Sequence, residues 1–172
     1  MNSPSSKGFI PPGFLTLLCE GNNNPYSNDW SRRLRTGPKN NIVIGKGYDL
    51  TQNGENKIIQ DLVDAGVTRQ KAQLLAKAPF LSGFEASKFI AFYKNDVVLT
   101  KEQEKKLFDM KYKKTESIMK AKIDHYTGKS EYISPFDVAQ YQWEILTDLI
   151  YSGDLTSENE EVVFSALKNA LN

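Results

Sequence analysis

Two glycines spaced two apart, in Asn40-Asn41-Ile42-Val43-Ile44-Gly45-Lys46-Gly47-Tyr48-Asp49-Leu50, constrain this chain more than any other feature. Val43 and Ile44 favour an extended backbone, and Gly45 and Gly47 admit the positive φ angles of a tight turn. Residues 40–50 therefore predict a β-hairpin. A hairpin that ends on Asp49 holds this carboxylate on a rigid element, as a working carboxylate requires. Upstream, the apolar run Phe14-Leu15-Thr16-Leu17-Leu18-Cys19 reads as a short helix closed by Glu20 and Gly21. A carboxylate at the end of a half-buried helix is a candidate for a raised pKa, because burial disfavours its charged form.

Beyond the hairpin the pattern is helical. Ile58, Ile59, Leu62 and Val63 repeat at helical spacing with Gly66 as a stop. Thr68 starts a second helix through Ala72, Leu74, Leu75 and Ala76, broken near Pro79. A third runs from Gly83 to Lys94 with Phe84, Phe89, Ile90 and Phe92 as its apolar side. Thr100 and Gln103 form a capping box for a lysine-rich helix through Ile123, with Leu107, Met110, Ile118 and Met119 toward the core. Ser134-Pro135 opens the most apolar helix, containing Phe136, Val138, Ala139, Trp143, Ile145, Leu146, Leu149 and Ile150, and reads as the centre of the domain. Ser157 and Glu160 make a second capping box before a closing helix with Val162, Val163, Phe164, Leu167 and Leu171. The expected fold is α+β and mostly α-helical, with a small β-hairpin lobe and a larger helical lobe flanking a cleft.

A chain of 172 residues, 40% hydrophobic and 25% charged, is long enough to bury a core without cross-links. The reading is one domain over 1–172, with 1–8 flexible, the hairpin at 40–50 and the helical lobe at 54–172. Cys19, the single cysteine, sits in an apolar run and reads as a buried small hydrophobe. His125 is the single histidine and lies among polar residues, which argues against a metal site or a serine–histidine triad. No organic cofactor is expected either. The N-terminus lacks the basic and apolar regions of a signal peptide, and no run of roughly 18 apolar residues occurs, so no membrane span is expected. Synthesis in the cytoplasm is the corresponding expectation. Residues 1–130 carry 21 basic and 13 acidic side chains, net +8, whereas residues 131–172 carry 1 and 8, net −7. A basic face suits an anionic cell wall; nucleic acid would suit it electrostatically as well, but no nucleic-acid-binding motif accompanies the charge.

A helix ending in Glu20-Gly21, a polar loop and the Ile44-Gly45-Lys46-Gly47 hairpin resemble the phage-type lysozymes. Gly47-Tyr48-Asp49-Leu50 is most similar to their pesticin-like branch, bacterial toxins that cut peptidoglycan. The resemblance covers mainly residues 14–52, with further support from Tyr151-Ser152-Gly153 at the end of an apolar helix. It implies a lysozyme-like muramidase acting on the β-1,4 bond between N-acetylmuramic acid and N-acetylglucosamine, without metal or cofactor. It also implies Glu20 and Asp49 as the catalytic pair. The family usually carries Thr two residues before the first hairpin glycine, where this chain has Val43; Thr36 and Thr51 are the nearest substitute hydroxyls.

Glycoside hydrolysis needs one protonated carboxyl to donate to the leaving oxygen and one ionised carboxylate to activate water or stabilise the oxocarbenium-like transition state. Glu20 is the better acid and Asp49 the better base. Glu20 also reads as a salt-bridged helix end, to Arg32, Arg33 or Arg35, and Asp49 as a turn or cap carboxylate ahead of Thr51. Asp29 rivals Asp49, nine residues after Glu20, although Ser27-Asn28-Asp29-Trp30 reads equally as a turn. The functional expectation is a peptidoglycan-degrading muramidase, either an antibacterial effector delivered by a secretion system or a phage endolysin released on lysis. Its partners would be glycan strands, with a cognate immunity protein or secretion machinery. The alternative is a catalytically impaired, lysozyme-like peptidoglycan-binding protein, since Val43 cannot hydrogen-bond a water.

Overall fold

The computed structural model describes residues 13–19, 29–128 and 140–170. Among them the chain is α+β and mostly helical, with seven helices and one three-stranded antiparallel sheet. The elements are α1 (Phe14–Cys19), β1 (Arg35–Thr36), β2 (Ile42–Ile44), β3 (Tyr48–Asp49), α2 (Glu55–Asp64), α3 (Arg69–Leu75), α4 (Gly83–Tyr93), α5 (Lys101–Thr127), α6 (Gln140–Ser152) and α7 (Glu160–Ala170). No described helix is long and apolar enough to cross a membrane.

Packing divides the chain into two compact units. One comprises residues 19–114. Its core joins Ile42, Ile44, Tyr48 and Leu50 of the hairpin region to Ile58 and Leu62 of α2, Leu75 of α3, Phe89 of α4 and Leu107 of α5. The hairpin thus shares its apolar interior with α2–α4, and the boundary between the units falls at Lys114 and Thr115, inside α5. Two helix ends in this unit have a clear local cause. The α2 chain turns away at Gly66, whose φ of 92° suits a residue without Cβ. At the start of α5 the capping box is reciprocal: Thr100 N–H donates to Gln103 Oε1 at 2.9 Å, and Gln103 N–H donates to Thr100 Oγ1 at 3.1 Å. Gln103 Nε2 also donates to Gly66 O at 2.8 Å, pinning the α2–α3 turn to α5.

The other unit comprises residues 1–18 and 115–172. Its core is Met119 and Ile123 of α5, Trp143 and Leu146 of α6, and Phe164 and Leu167 of α7. Tyr126 stacks on Phe164 at 5.0 Å between centroids, and Lys122 Nζ pairs with Glu160 Oε2 at 2.6 Å. Buried Glu144 accepts the backbone N–H groups of Gly13 at 2.9 Å and Leu15 at 3.4 Å. Its carboxyl oxygens thus take backbone donors at the start of α1 that the helix itself does not pair.

Several expectations are corrected. Phe84 and Phe92 are 73% and 77% exposed, because α4 packs through Ala86 and Phe89, on the opposite side of the helix. Ile118 and Ile145 also face outward. Cys19 is exposed, as the last residue of the six-residue α1. The hydrogen bond at the start of α7 runs from Thr156 N–H to Asn159 Oδ1 at 2.8 Å, one residue before the expected Ser157–Glu160 box, while Glu160 engages Lys122. Residues 1–8, Ser134, Pro135, Phe136, Val138, Ala139 and Leu171 lie outside the described residues. Tyr151-Ser152-Gly153 falls at the end of α6, where the sequence places it; Tyr151 is buried and Gly153 has a φ of 74°.

Candidate functional site

The hairpin forms as the glycine spacing dictates. β2 pairs antiparallel with β3 through Val43 opposite Asp49 and Ile44 opposite Tyr48. Gly45 and Gly47, with φ of 63° and 75°, close the turn, and Gly47 N–H reaches Gly45 O at 3.0 Å. Two cations hold this turn. The Arg35 guanidinium donates to Gly45 O at 2.8 Å and to Ser31 O at 2.9 Å while lying 4.7 Å above the Trp30 ring. Lys111 of α5 donates to Gly47 O at 2.7 Å. β1 adds a third strand, with Arg35 opposite Val43 and Thr36 opposite Ile42.

Alternation along β2 and β3 sorts the side chains. Ile42, Ile44, Tyr48 and Leu50 enter the core, whereas Val43 and Asp49 share the other face. Val43 is 5% exposed although it stands outside that core cluster. Asp49 is held at both oxygens. Its Oδ2 accepts Asn41 Nδ2 at 2.5 Å; its Oδ1 accepts Thr51 N–H and Thr51 Oγ1, each at 2.7 Å, and Gln52 N–H at 3.3 Å. Asn53 Nδ2 donates to Asp49 O at 2.7 Å, closing the turn behind the carboxylate. Four donors thus fix the orientation of the carboxylate on the hairpin.

Next to Asp49, the Tyr48 hydroxyl donates to Asp61 Oδ2 at 2.7 Å, and Lys57 pairs with the same oxygen. Burial raises the Tyr48 pKa well above its ordinary value, and the hydrogen bond to the Asp61 carboxylate raises it further. Tyr48 therefore stays protonated and acts as a fixed donor that ties the hairpin to α2.

The sequence-predicted residues fare differently. Glu20 lies outside the described residues. Asp49 is displayed on the hairpin as expected, in the turn geometry that was its alternative reading. Asp29 is engaged by Arg33 Nη2 at 2.6 Å, and Arg33 also donates to Asn95 Oδ1 at 3.1 Å and Lys94 O at 3.2 Å. The hydrogen bond to Asp29 raises the Arg33 pKa, and the pair closes across the 29–33 turn, where Arg32 N–H donates to Asp29 O at 3.0 Å. Of the two substitute hydroxyls, Thr51 is on Asp49, whereas Thr36 is exposed on β1 opposite Ile42. Sequence reasoning missed Asn41. Extending the register that pairs residue 43 with 49 sets 41 opposite 51, so this contact follows once the hairpin is drawn. Arg35 and Lys111 carried no comparable signal, because both grip main-chain carbonyls distant in sequence. Among the described residues no group of three or more His, Cys, Asp or Glu side chains gathers as a metal site would need.

The chain belongs to the family described as a domain of unknown function (DUF8812), whose model matches residues 13–172. No curated protein and no solved structure matches it.

Proposed function

We propose that the chain is a peptidoglycan-degrading muramidase of the pesticin-like lysozyme type, with Asp49 as its base and Glu20 as its acid. The observation that supports this reading is the hairpin itself. A glycine turn clamped by Arg35 and Lys111 displays a carboxylate that Asn41 and Thr51 fix in orientation. Thr51 Oγ1 donates to Asp49 and keeps its lone pairs for a water proton, so it supplies beside the base the hydroxyl that Val43 lacks. The substrate bond, between N-acetylmuramic acid and N-acetylglucosamine, comes from the resemblance to the lysozymes. An antibacterial effector or phage endolysin is the corresponding biological role, with glycan strands as substrate and an immunity protein or secretion machinery as accessory partners.

A second reading, a lysozyme-like wall-binding protein without turnover, has its own observation. Val43 is buried directly opposite Asp49, and the Asp49 carboxylate already carries four hydrogen bonds, as a purely structural turn residue would. Incubation of the purified chain with intact sacculi separates the two. Release of soluble muropeptides by the wild type but not by Glu20→Gln supports the enzyme. Retention on sacculi with no release by either form supports the binder.

A further inference from the structure

The α4 helix is apolar on both sides, yet unit packing covers only one. Ala86 and Phe89 are buried, with Ile90 and Tyr93 packed partly against the same core. Phe84, Lys88 and Phe92 follow one another at four-residue spacing, two positions out of step with Ala86 and Ile90, and so form a row on the far side. Phe80 precedes α4, in the turn that leads into it. It is 95% exposed and takes a φ of 72°, a left-handed conformation that a non-glycine residue adopts at a cost. Three phenyl rings left in water add almost nothing to the stability of the fold, and one of them sits on a strained residue.

The segment of chain that carries the row is basic. Residues 67–95 carry five basic side chains, Arg69, Lys71, Lys77, Lys88 and Lys94, all exposed, against one acidic residue, Glu85. Lys88 Nζ lies 4.5 Å above the Phe84 ring centroid. An ammonium on the ring face leaves little room for a sugar to stack there, whereas a ring entering acyl chains beneath an ammonium at phosphate level is satisfied on both counts. Exposed phenyl rings with a lysine among them, on one face of a helix, are the chemistry of an interfacial anchor.

We propose that the exposed Phe84–Lys88–Phe92 face of α4, with Phe80 in the turn before it and Lys77 and Lys94 in the flanking segment, docks this protein on an anionic lipid bilayer surface. This is independent of the muramidase reading, since it uses no residue of the hairpin site. The test is co-sedimentation of the full chain with vesicles of phosphatidylglycerol and phosphatidylcholine, against vesicles of phosphatidylcholine alone. With roughly a fivefold gain for each cation near an anionic surface, three engaged lysines give a preference on the order of a hundredfold for the anionic vesicles, weakened by salt. Phe84→Ser with Phe92→Ser lowers binding to anionic vesicles at least about tenfold. Lys88→Glu lowers it on anionic vesicles and leaves binding to neutral ones unchanged. Because these side chains are exposed, the variants keep the wild-type melting temperature within a few degrees. Failure of the wild type to bind vesicles, or unchanged binding by the double variant, overturns the proposal. So does loss of sacculus binding in the double variant without vesicle binding by the wild type, which would assign the row to glycan, or conversion of a dimer to a monomer, which would assign it to a second copy.

Discussion

Replacing Asp49 by Asn separates a catalytic carboxylate from a structural one. The amide can still accept the hydrogen bonds of Thr51 and Gln52 through its oxygen, but its nitrogen then meets Asn41 Nδ2, donor against donor. Asn41 offers a way out: its own Oδ1 is buried with no hydrogen-bond partner, so a flip of the Asn41 amide restores a neutral hydrogen bond. What is lost is the difference between a charge-assisted bond and a neutral one, about 1 kcal/mol. For a chain of this length that lowers Tm by about 2–4 °C. Asp49→Ala instead removes the acceptor for all four donors. Part of that loss is recovered by water at a half-buried site, leaving a cost of about 3 kcal/mol and a fall in Tm about three times as large. Thermal melts of both variants test the hydrogen-bond argument, and muropeptide release tests the chemistry. If Asp49 is the base, Asp49→Asn is well folded at the assay temperature and still loses about 10²–10⁴-fold in rate. Activity within threefold of wild type would reduce Asp49 to a turn residue. A melting temperature as low as that of Asp49→Ala would refute the Asn41 flip.

Val43→Thr adds a hydroxyl to a buried position opposite Asp49; an enzyme short of a water-orienting group gains up to about tenfold, roughly 1.4 kcal/mol of transition-state stabilisation. If stability falls with no change in rate, the added hydroxyl is simply an unpaired buried group. Gly45→Ala places a Cβ at a φ of 63° and 3.4 Å from Leu99 Cδ1, and costs about 1–2 kcal/mol, read as a fall in the denaturation midpoint; unchanged stability would mean that the turn relaxes freely. The hydrogen bond and charge of Lys122 depress the Glu160 pKa, so this pair stabilises the fold above the unfolded value of about 4.3, and the effect disappears as pH falls through the folded one. Lys122→Gln accordingly lowers Tm slightly at pH 7, by less than about 1 kcal/mol of stability, and leaves it unchanged at pH 2; an equal loss at both would assign Lys122 a packing role.

Where a signal was local, the sequence carried it. Thr100 and Gln103 are three residues apart and bond each other, Gly66 ends α2 through its own φ, and the spacing of Gly45 and Gly47 selects the hairpin turn. Asp49 could be placed on β3 for the same reason, and its contact with Thr51 spans two residues. The β1 strand escaped because Arg35-Thr36 has too few residues to show alternation and is held by pairing with β2. The outward row of α4 escaped because a helix with phenylalanines on both sides gives periodicity no way to choose between them. Arg35, Lys111 and Asp61 act on the hairpin from positions that only the tertiary fold brings near, so no spacing in the chain announces them. Cys19 followed its apolar neighbours in sequence, but a six-residue helix has too few turns to bury every apolar side chain.

The identity of the chain ends released from the wall tests the account most directly. Purified sacculi are digested with the full chain, the soluble products are reduced with borohydride, and the reduced sugar is identified by mass spectrometry. The account predicts muropeptides ending in reduced N-acetylmuramic acid, absent when Glu20→Gln replaces the wild type. Products ending in reduced N-acetylglucosamine, cleavage of the stem peptides, or no soluble product from a well-folded wild-type protein would contradict it.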